Sequence, residues 1–149
     1  MKRERAAAYV AFLEALTAAR LPELSAYLAP QARFVDPFND VTGREAVIRV
    51  FTKIFEDLTE VDFAGRDLAF SEGACSEGAC FFAWTLRGRL RGSRRAITFE
   101  GVTELRLDDQ GRVAAHIDHW DAASQLYARI PVLGSLLAVL RRRLGAEGG

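Results

Sequence analysis

The feature that most constrains the fold of this chain is a change in hydrophobic periodicity near Val61. Before it, apolar residues recur every three or four positions, as on one face of a helix. After it, they alternate with polar residues, as on a strand that buries one face. Helices followed by a run of strands are typical of α+β proteins. We therefore expect an α+β fold in which a curved sheet wraps around N-terminal helices.

The first sixty residues predict three helices. Residues 4–19 carry apolar side chains at helical spacing, and Pro22 suits the start of a second, short helix. Thr42, followed three residues later by Glu45, has the pattern of a capping box and predicts a third helix. The apolar positions within 47–58 repeat at three and four, so one face of that helix should be buried.

Turn signals divide the rest of the chain into strands, connected by hairpins at 91–93 and 108–111. The predicted strands lie near 32–36, 61–71, 79–91, 94–107 and 112–120. On the last strand, His116, Asp118 and Trp120 share one face. Burying two ionisable groups there would cost roughly several kcal/mol unless they pair with each other or with something in a cavity.

Asp36 is an acidic residue in apolar company, between Phe34 and Phe38. Pro37 disfavours a helical conformation at Asp36 and favours an extended one. A carboxylate that is desolvated on such a segment becomes a better proton acceptor near neutral pH. The competing interpretation is that Asp36 begins a turn, as Asp before Pro often does. The local sequence leaves both open.

Composition excludes several classes of protein. The chain has 149 residues, half of them apolar, and a formal net charge of zero, which suits one globular domain and offers no basic field to attract nucleic acid. We predict no metal site and no cofactor.

Cys75 and Cys80 lie in a tandem Ser-Glu-Gly-Ala-Cys duplication over 71–80. We interpret this duplication as a lengthened hairpin turn, and the alternative is that the two cysteines form a redox pair. Glu14 interrupts the N-terminal apolar stretch, so we expect no signal peptide and a cytoplasmic location.

The order of these features resembles the nuclear transport factor 2-like superfamily, in its SnoaL-like and ketosteroid-isomerase-like branch. The resemblance covers about residues 6–127 and rests on Val-Asp-Pro-Phe at 35–38, Gly-Arg-Glu at 43–45 and Ile-Asp-His-Trp-Asp at 117–121. It implies a cone, or cystatin-like α+β roll. In this fold a strongly curved mixed or antiparallel sheet wraps around three N-terminal helices and a deep apolar pocket. It also implies a homodimer formed through the outer face of the sheet.

The same resemblance suggests the site residues. Asp36 falls where ketosteroid isomerases place their general base, but Phe12 and Thr103 stand where those enzymes place the oxyanion donors, so classical ketosteroid isomerase activity is not expected. Asp118 resembles the acidic residue that SnoaL-like cyclases and limonene-epoxide-hydrolase-like enzymes carry on the last strand. We therefore take Asp36, Asp118 and His116 as candidate catalytic residues. Tyr9 is a candidate substitute donor.

The resemblance implies a small-molecule-binding protein. It would be an acid–base isomerase, cyclase or hydrolase acting on an apolar, polyketide- or terpenoid-like compound. The alternative is a non-catalytic ligand-binding or dimerisation domain of the same fold, and the sequence does not separate the two. The expected pocket-lining residues, each of which could instead be plain core, are Tyr9, Phe12, Phe34, Phe55, Phe82, Trp84, Phe99, Thr103 and Trp120.

Residues 129–149 extend past the cone that the family implies, so we predict a cone domain over 1–128 and a C-terminal helical extension over 129–149. Asp121 can cap a helix, Pro131 should break it, and an apolar helix ending in three arginines should follow. The preferred interpretation is that this helix packs over the pocket mouth or against a partner subunit. The alternative is peripheral contact with an anionic membrane surface.

Overall fold

The computed structural model describes residues 1–70, 79–93 and 95–144. Its helices are α1 (Lys2–Glu14), α2 (Arg44–Asp57), α3 (Ala122–Gln125) and α4 (Pro131–Leu144), with 3₁₀ helices at Ala18–Ala26 and Tyr127–Arg129. Its strands are β1 (Leu28–Val35), β2 (Asp40–Thr42), β3 (Leu58–Phe70), β4 (Ala79–Leu90), β5 (Ala96–Leu107) and β6 (Val113–His119). The duplication over 71–80 lies outside the described residues, except for Ala79 and Cys80 at the start of β4.

The strands form one mixed sheet in the order β2-β1-β6-β5-β4-β3. Strands β3 to β6 pair antiparallel with their neighbours in sequence, β2 pairs antiparallel with β1, and β1 pairs parallel with β6. The α+β class with a curved sheet around N-terminal helices is therefore confirmed. The three-residue strand β2 was not predicted, because it is too short to show an alternating pattern.

Two irregularities bend β3. Its register with β4 shifts between Thr59 and Asp62 and again between Arg66 and Ala69. Each shift contains a residue with a positive φ, Glu60 at 53° and Asp67 at 57°, as expected where an extra residue kinks a strand. The bends curve this edge of the sheet around α1.

Gly65 lets α1 approach β3 closely. A Cβ atom at this position would lie 2.5 Å from Cγ1 of Val10, so any side chain there would push the helix away from the sheet. The backbone N–H of Gly65 also donates a 2.9 Å hydrogen bond to Glu14. The helix is thus held at the distance that lets its apolar face meet the sheet.

The core lies between the helices and the concave face of the sheet. It contains the apolar positions that the sequence pattern places on one face of each element. Its buried residues include Tyr9, Phe12 and Leu13 of α1, Val47 and Phe51 of α2, and Phe34, Phe82, Trp84, Leu105 and Val113 of the sheet.

The start of α2 differs from the predicted capping box. Thr42 is the last residue of β2 and Gly43 is the N-cap, with a φ of 103° and no side-chain capping bond. The helix is instead tied to β1 by Arg44, whose Nε and Nη2 donate to the carbonyl oxygen of Leu28 at 3.1 and 2.7 Å. Because Thr42 is held extended by strand pairing, its hydroxyl does not cap the helix.

The C-terminal segment follows the sheet as two short helices and one longer one. Asp121 caps α3 by accepting a 3.0 Å hydrogen bond from the backbone N–H of Ser124, and Pro131 occupies the first position of α4, where proline is well tolerated. Helix α4 packs against the 3₁₀ helix Tyr127–Arg129 and buries none of its residues. The division at 128 stays a prediction.

Among the described residues, none of the helices has the length and apolar character needed to cross a bilayer.

Candidate functional site

The two ionisable side chains on the concave side of β6 pair with each other. His116 Nε2 lies 2.9 Å from Asp118 Oδ1. The imidazole side chain is 4% exposed and the carboxylate side chain 16%. A buried His or Asp on this strand needs a partner, and His116 and Asp118 are partners of each other.

Two further residues extend this pair into a chain of hydrogen bonds. Thr103 of β5 is the register partner of Asp118, and its hydroxyl donates to the same Oδ1. At the other end, the hydroxyl of Tyr9 on α1 lies 3.0 Å from His116 Nδ1. We call Tyr9, His116, Asp118 and Thr103 the β6 network.

The phenol of Tyr9 sets the positions of the protons. Burial, together with the negative charge of Asp118, raises the pKa of Tyr9 far above its ordinary value, so the phenol stays protonated and donates. A donor at Nδ1 makes that nitrogen an acceptor, which places the imidazole proton on Nε2. The Nε2–H of His116 then donates to Asp118.

Aromatic rings enclose the imidazole of His116. The ring of Phe34 stacks on it at a centroid distance of 5.0 Å, and Tyr9, Phe51 and Phe82 meet it edge-on at 5.9, 5.9 and 6.4 Å. Solvent therefore reaches the network mainly at Asp118. In the described part of the chain both hydrogen bonds to this carboxylate fall on Oδ1, and Oδ2 accepts none.

Trp84 brings a buried hydrogen-bond donor to the same face of the sheet. Its Nε1–H has no partner among the described residues. The indole lies over Gly101, its register partner on β5, where a Cβ atom would be 2.5 Å from Cζ2. Gly101 precedes Thr103 by two residues and so shares its face. An unpaired buried N–H costs about 1–3 kcal/mol, so an acceptor atom from a ligand would be favourable here.

Asp36 lies in the turn between β1 and β2. Its Oδ1 accepts 2.7 Å hydrogen bonds from the backbone N–H groups of Phe38 and Asn39, and the Asn39 side-chain amide bonds both carboxylate oxygens. This is the turn geometry of the competing interpretation. In the described residues no hydrogen bond joins Asp36 to the β6 network, and its role as a proton acceptor stays a prediction.

The residues predicted to line a pocket fall into two groups. Those that are buried in the core are Tyr9, Phe12, Phe34, Phe82, Trp84 and Thr103; those that are half-buried are Phe55, Phe99 and Trp120. The rings of Phe99 and Trp120 lie 5.0 Å apart. Phe55 instead lines a cleft of about 420 Å³ with Ala18, Leu21, Thr52, Glu56 and Arg91.

Sequence reasoning missed two contributors to this region. Phe51 belongs to the apolar pattern of α2, which marks it as buried, but the pattern does not show that its ring meets an imidazole on β6. Trp84 was expected as a pocket wall and not as an unpaired donor. Among the described residues, no group of three or more His, Cys, Asp or Glu side chains is placed to hold a metal ion.

Comparison with known proteins places the chain among cone-shaped α+β proteins. The family described as "SnoaL-like domain" matches residues 9–116. A search of the curated proteins finds no significant match.

Solved structures with the same fold cover most of the chain. An NTF2-like protein of unknown function from Burkholderia pseudomallei is 21% identical, with a TM-score of 0.67, over 83% of this chain and 92% of that one. A candidate SnoaL-like polyketide cyclase from Shewanella denitrificans is 22% identical, with a TM-score of 0.64, over 86% and 98%. A steroid delta-isomerase from Pseudomonas aeruginosa is 23% identical, with a TM-score of 0.57, over 93% and 95%. At these identities the likeness establishes the fold.

Proposed function

Because this chain belongs to the SnoaL-like domain family, we propose that it binds an apolar small molecule on the concave face of its sheet and performs acid–base chemistry on it through Asp118. The β6 network is the observation that carries the proposal, since it holds one carboxylate oxygen and leaves the other for a ligand. The neighbours described as a steroid delta-isomerase and a candidate polyketide cyclase support an isomerase or a cyclase; a hydrolase is the remaining acid–base candidate. A polyketide- or terpenoid-like compound would suit the aromatic surroundings.

In the proposed reaction, Oδ2 of Asp118 removes a proton from the carbon next to a carbonyl group. The C–H electron pair forms the enolate double bond, and the negative charge moves to the carbonyl oxygen. His116 and Thr103 hold Oδ1 in place, while Tyr9 keeps the imidazole in the required tautomer. In a β,γ-unsaturated ketone this enolate is a dienolate, and return of the proton from Oδ2 to its γ-carbon moves the double bond into conjugation and completes an isomerisation.

The Nε1–H of Trp84 is the proposed donor to the developing oxyanion. It lies at neither of the positions of Phe12 and Thr103, which are those at which ketosteroid isomerases carry their oxyanion donors. A single well-placed donor of this kind contributes about 10²–10³-fold to a rate. Its apolar surroundings would strengthen the interaction because the local dielectric constant is low.

The experiment that tests this function is hydrogen–deuterium exchange next to a carbonyl. Incubating the protein in D₂O with cyclohexanone or a steroid ketone and following the adjacent protons by NMR detects a general base without knowledge of the natural substrate. General acid–base catalysis contributes about 10²–10⁴-fold, so Asp118→Asn should slow the exchange at least 100-fold. Asp121→Asn is the matched control, because it changes an exposed Asp three residues away and keeps a good helix cap. Equal rates in the two variants would contradict the role of Asp118.

A second candidate function is a non-catalytic ligand-binding or dimerisation domain. Four aromatic rings pack around His116. This packing favours the second candidate, because a hydrogen-bond network inside a filled core suits a structural role. Native mass spectrometry that finds a co-purified ligand, together with no exchange above the buffer rate for either ketone, would support this candidate over the first.

The homodimer that the resemblance implied belongs to the same proposal. Phe81 and Val102 are exposed apolar residues on the outer face of the sheet, which is the surface proposed for the homodimer. A polar substitution of Val102 should shift the mass measured by light scattering from that of a dimer to that of a monomer. A cytoplasmic location stays a prediction.

A further inference from the structure

Helix α4 presents an uncovered apolar face. Between 37% and 84% of the surface of each of its large apolar residues is exposed, apart from Leu137. The exposed residues are Val132, Leu133, Leu136, Val139, Leu140 and Leu144, and helical spacing places them on one side. We call them the α4 stripe. A contiguous apolar surface of this kind usually marks an interaction site.

The opposite side of α4 fixes the direction in which the stripe points. Gly134 lies directly against the backbone of Ala128, and Leu137 is half-buried. One turn further, Arg141 Nη2 donates a 2.5 Å hydrogen bond to Ser124 Oγ. Gly134, Leu137 and Arg141 recur at three and four residues, so the helix rests on α3 and the 3₁₀ helix along this side and turns the stripe outward.

The charge of the segment has one sign. Residues 122–144 contain four arginines, at 129 and 141–143, and no Asp or Glu. The formal net charge of the whole chain is zero, so this excess of positive charge is confined to the C-terminal segment. Arginine side chains at the end of an apolar helix can keep their guanidinium groups in water while their stems cover apolar surface.

We propose that α4 lies on the surface of an anionic lipid bilayer, with the α4 stripe toward the acyl chains and Arg142 and Arg143 among the phosphate and carboxylate headgroups. An amphipathic helix with a wide apolar face, whose charged residues are all basic, binds such surfaces in this orientation. This proposal does not depend on the acid–base function.

Charge complementarity favours lipid over a second copy of the chain. A partner copy would bury the stripe against an equal stripe, and nothing on residues 122–144 of that copy could neutralise its arginines. An anionic bilayer satisfies both the apolar and the basic groups at once. The other interpretation of the sequence, in which this helix packs over the pocket mouth or against a partner subunit, stays a prediction.

Co-sedimentation of the full chain with vesicles tests the proposal. Vesicles of phosphatidylcholine with about one third phosphatidylserine should bind the protein, and phosphatidylcholine alone should bind it far more weakly. Added salt should weaken the binding. The Arg142→Gln, Arg143→Gln double variant should bind about 30-fold more weakly. The matched control is Arg49→Gln with Arg95→Gln, which removes the same charge from exposed positions elsewhere and should leave binding unchanged.

A second pair of variants tests the apolar contact. Leu140 is 44% exposed on α4 and Leu90 is 40% exposed at the end of β4, so Leu140→Gln and Leu90→Gln remove similar apolar surfaces. Leu140→Gln should weaken vesicle binding about 10-fold, and Leu90→Gln should not. Absence of vesicle binding, or equal loss in variants and controls, would overturn the proposal. So would a Leu140-dependent dimer on size-exclusion chromatography without vesicle binding, which would assign the stripe to a second copy.

Discussion

At the scale of single residues, the phenol of Tyr9 controls how the protons of the β6 network are arranged. It is fully buried, donates to His116 Nδ1, and thereby directs the Nε2–H toward Asp118. Without that donor either imidazole tautomer would be available, and the carboxylate would lose a defined hydrogen bond. The orientation of the candidate base therefore depends on a residue that is linked to it through His116.

Tyr9→Phe should lower the free energy of unfolding by about 1–2 kcal/mol, because it leaves Nδ1 of His116 buried without a donor. It should also change the pH dependence of stability. Burial raises the pKa of Tyr9 in the folded protein, so above about pH 10 the unfolded chain releases this proton while the folded chain keeps it, and stability falls as the pH rises. Urea denaturation at about pH 8 and pH 11 should show this fall in the wild type.

Tyr127→Phe is the control for the Tyr9 substitution. It makes the same chemical change in a half-buried ring on the 3₁₀ helix and should leave the alkaline fall in place. If Tyr9→Phe and Tyr127→Phe gave parallel pH profiles, Tyr9 would not be the group responsible.

How far the site could be predicted differs from residue to residue. Strand alternation placed His116 and Asp118 on one face, and the cost of burial required a partner for each. The hydrogen bond from Tyr9 joins residues 107 positions apart, and no local pattern encodes the packing of α1 that creates it. The turn at Asp36 was one of two interpretations that the local sequence allowed, because Asp-Pro suits both.

At the scale of elements, α2 is held to the sheet by Arg44. The two hydrogen bonds from its guanidinium group to the carbonyl oxygen of Leu28 join the first turn of the helix to the first residue of β1. These bonds position the helix that presents Phe51 to His116. The contact therefore supports one wall of the site from a distance.

Arg44→Met should cost about 1–2 kcal/mol of stability, since it keeps the aliphatic stem but leaves the Leu28 carbonyl without its charged donor. Arg49→Met, on an exposed position of the same helix, should change stability by less than about 0.5 kcal/mol. Chemical denaturation of both variants measures the difference. A similar loss in the two would mean that the bonds to Leu28 contribute nothing.

The types of the longer elements could be predicted from periodicity, and their ends could not. The antiparallel strands β3 to β6 and the helices α1 and α2 follow the predicted pattern. The start of α2 differs because Thr42 pairs with Arg33 in a strand, a long-range contact that overrides the local capping signal. Propensity acts within a few residues, whereas strand pairing decides between equally good local choices.

At the scale of the whole molecule, helix α4 packs on the 3₁₀ helix Tyr127–Arg129 without contributing to the core. Removing residues 130–149 should change the free energy of unfolding by no more than about 1 kcal/mol, because α4 buries none of its residues. The same truncation should abolish binding to anionic vesicles. Denaturation of the truncated and full chains measures the first effect, and loss of a cooperative transition would show that α4 belongs to the core domain.

The position of β6 has a consequence for how this protein is made. The sheet places β6, which is synthesised last of the strands, between β1 and β5. During translation β1 therefore leaves the ribosome long before its parallel neighbour exists, and its hydrogen-bonding edge is open in the meantime. Contacts between such distant segments form slowly, and exposed strand edges invite association with other chains. A nascent chain stalled before Val113 should accordingly recruit chaperones, and one released after His119 should not.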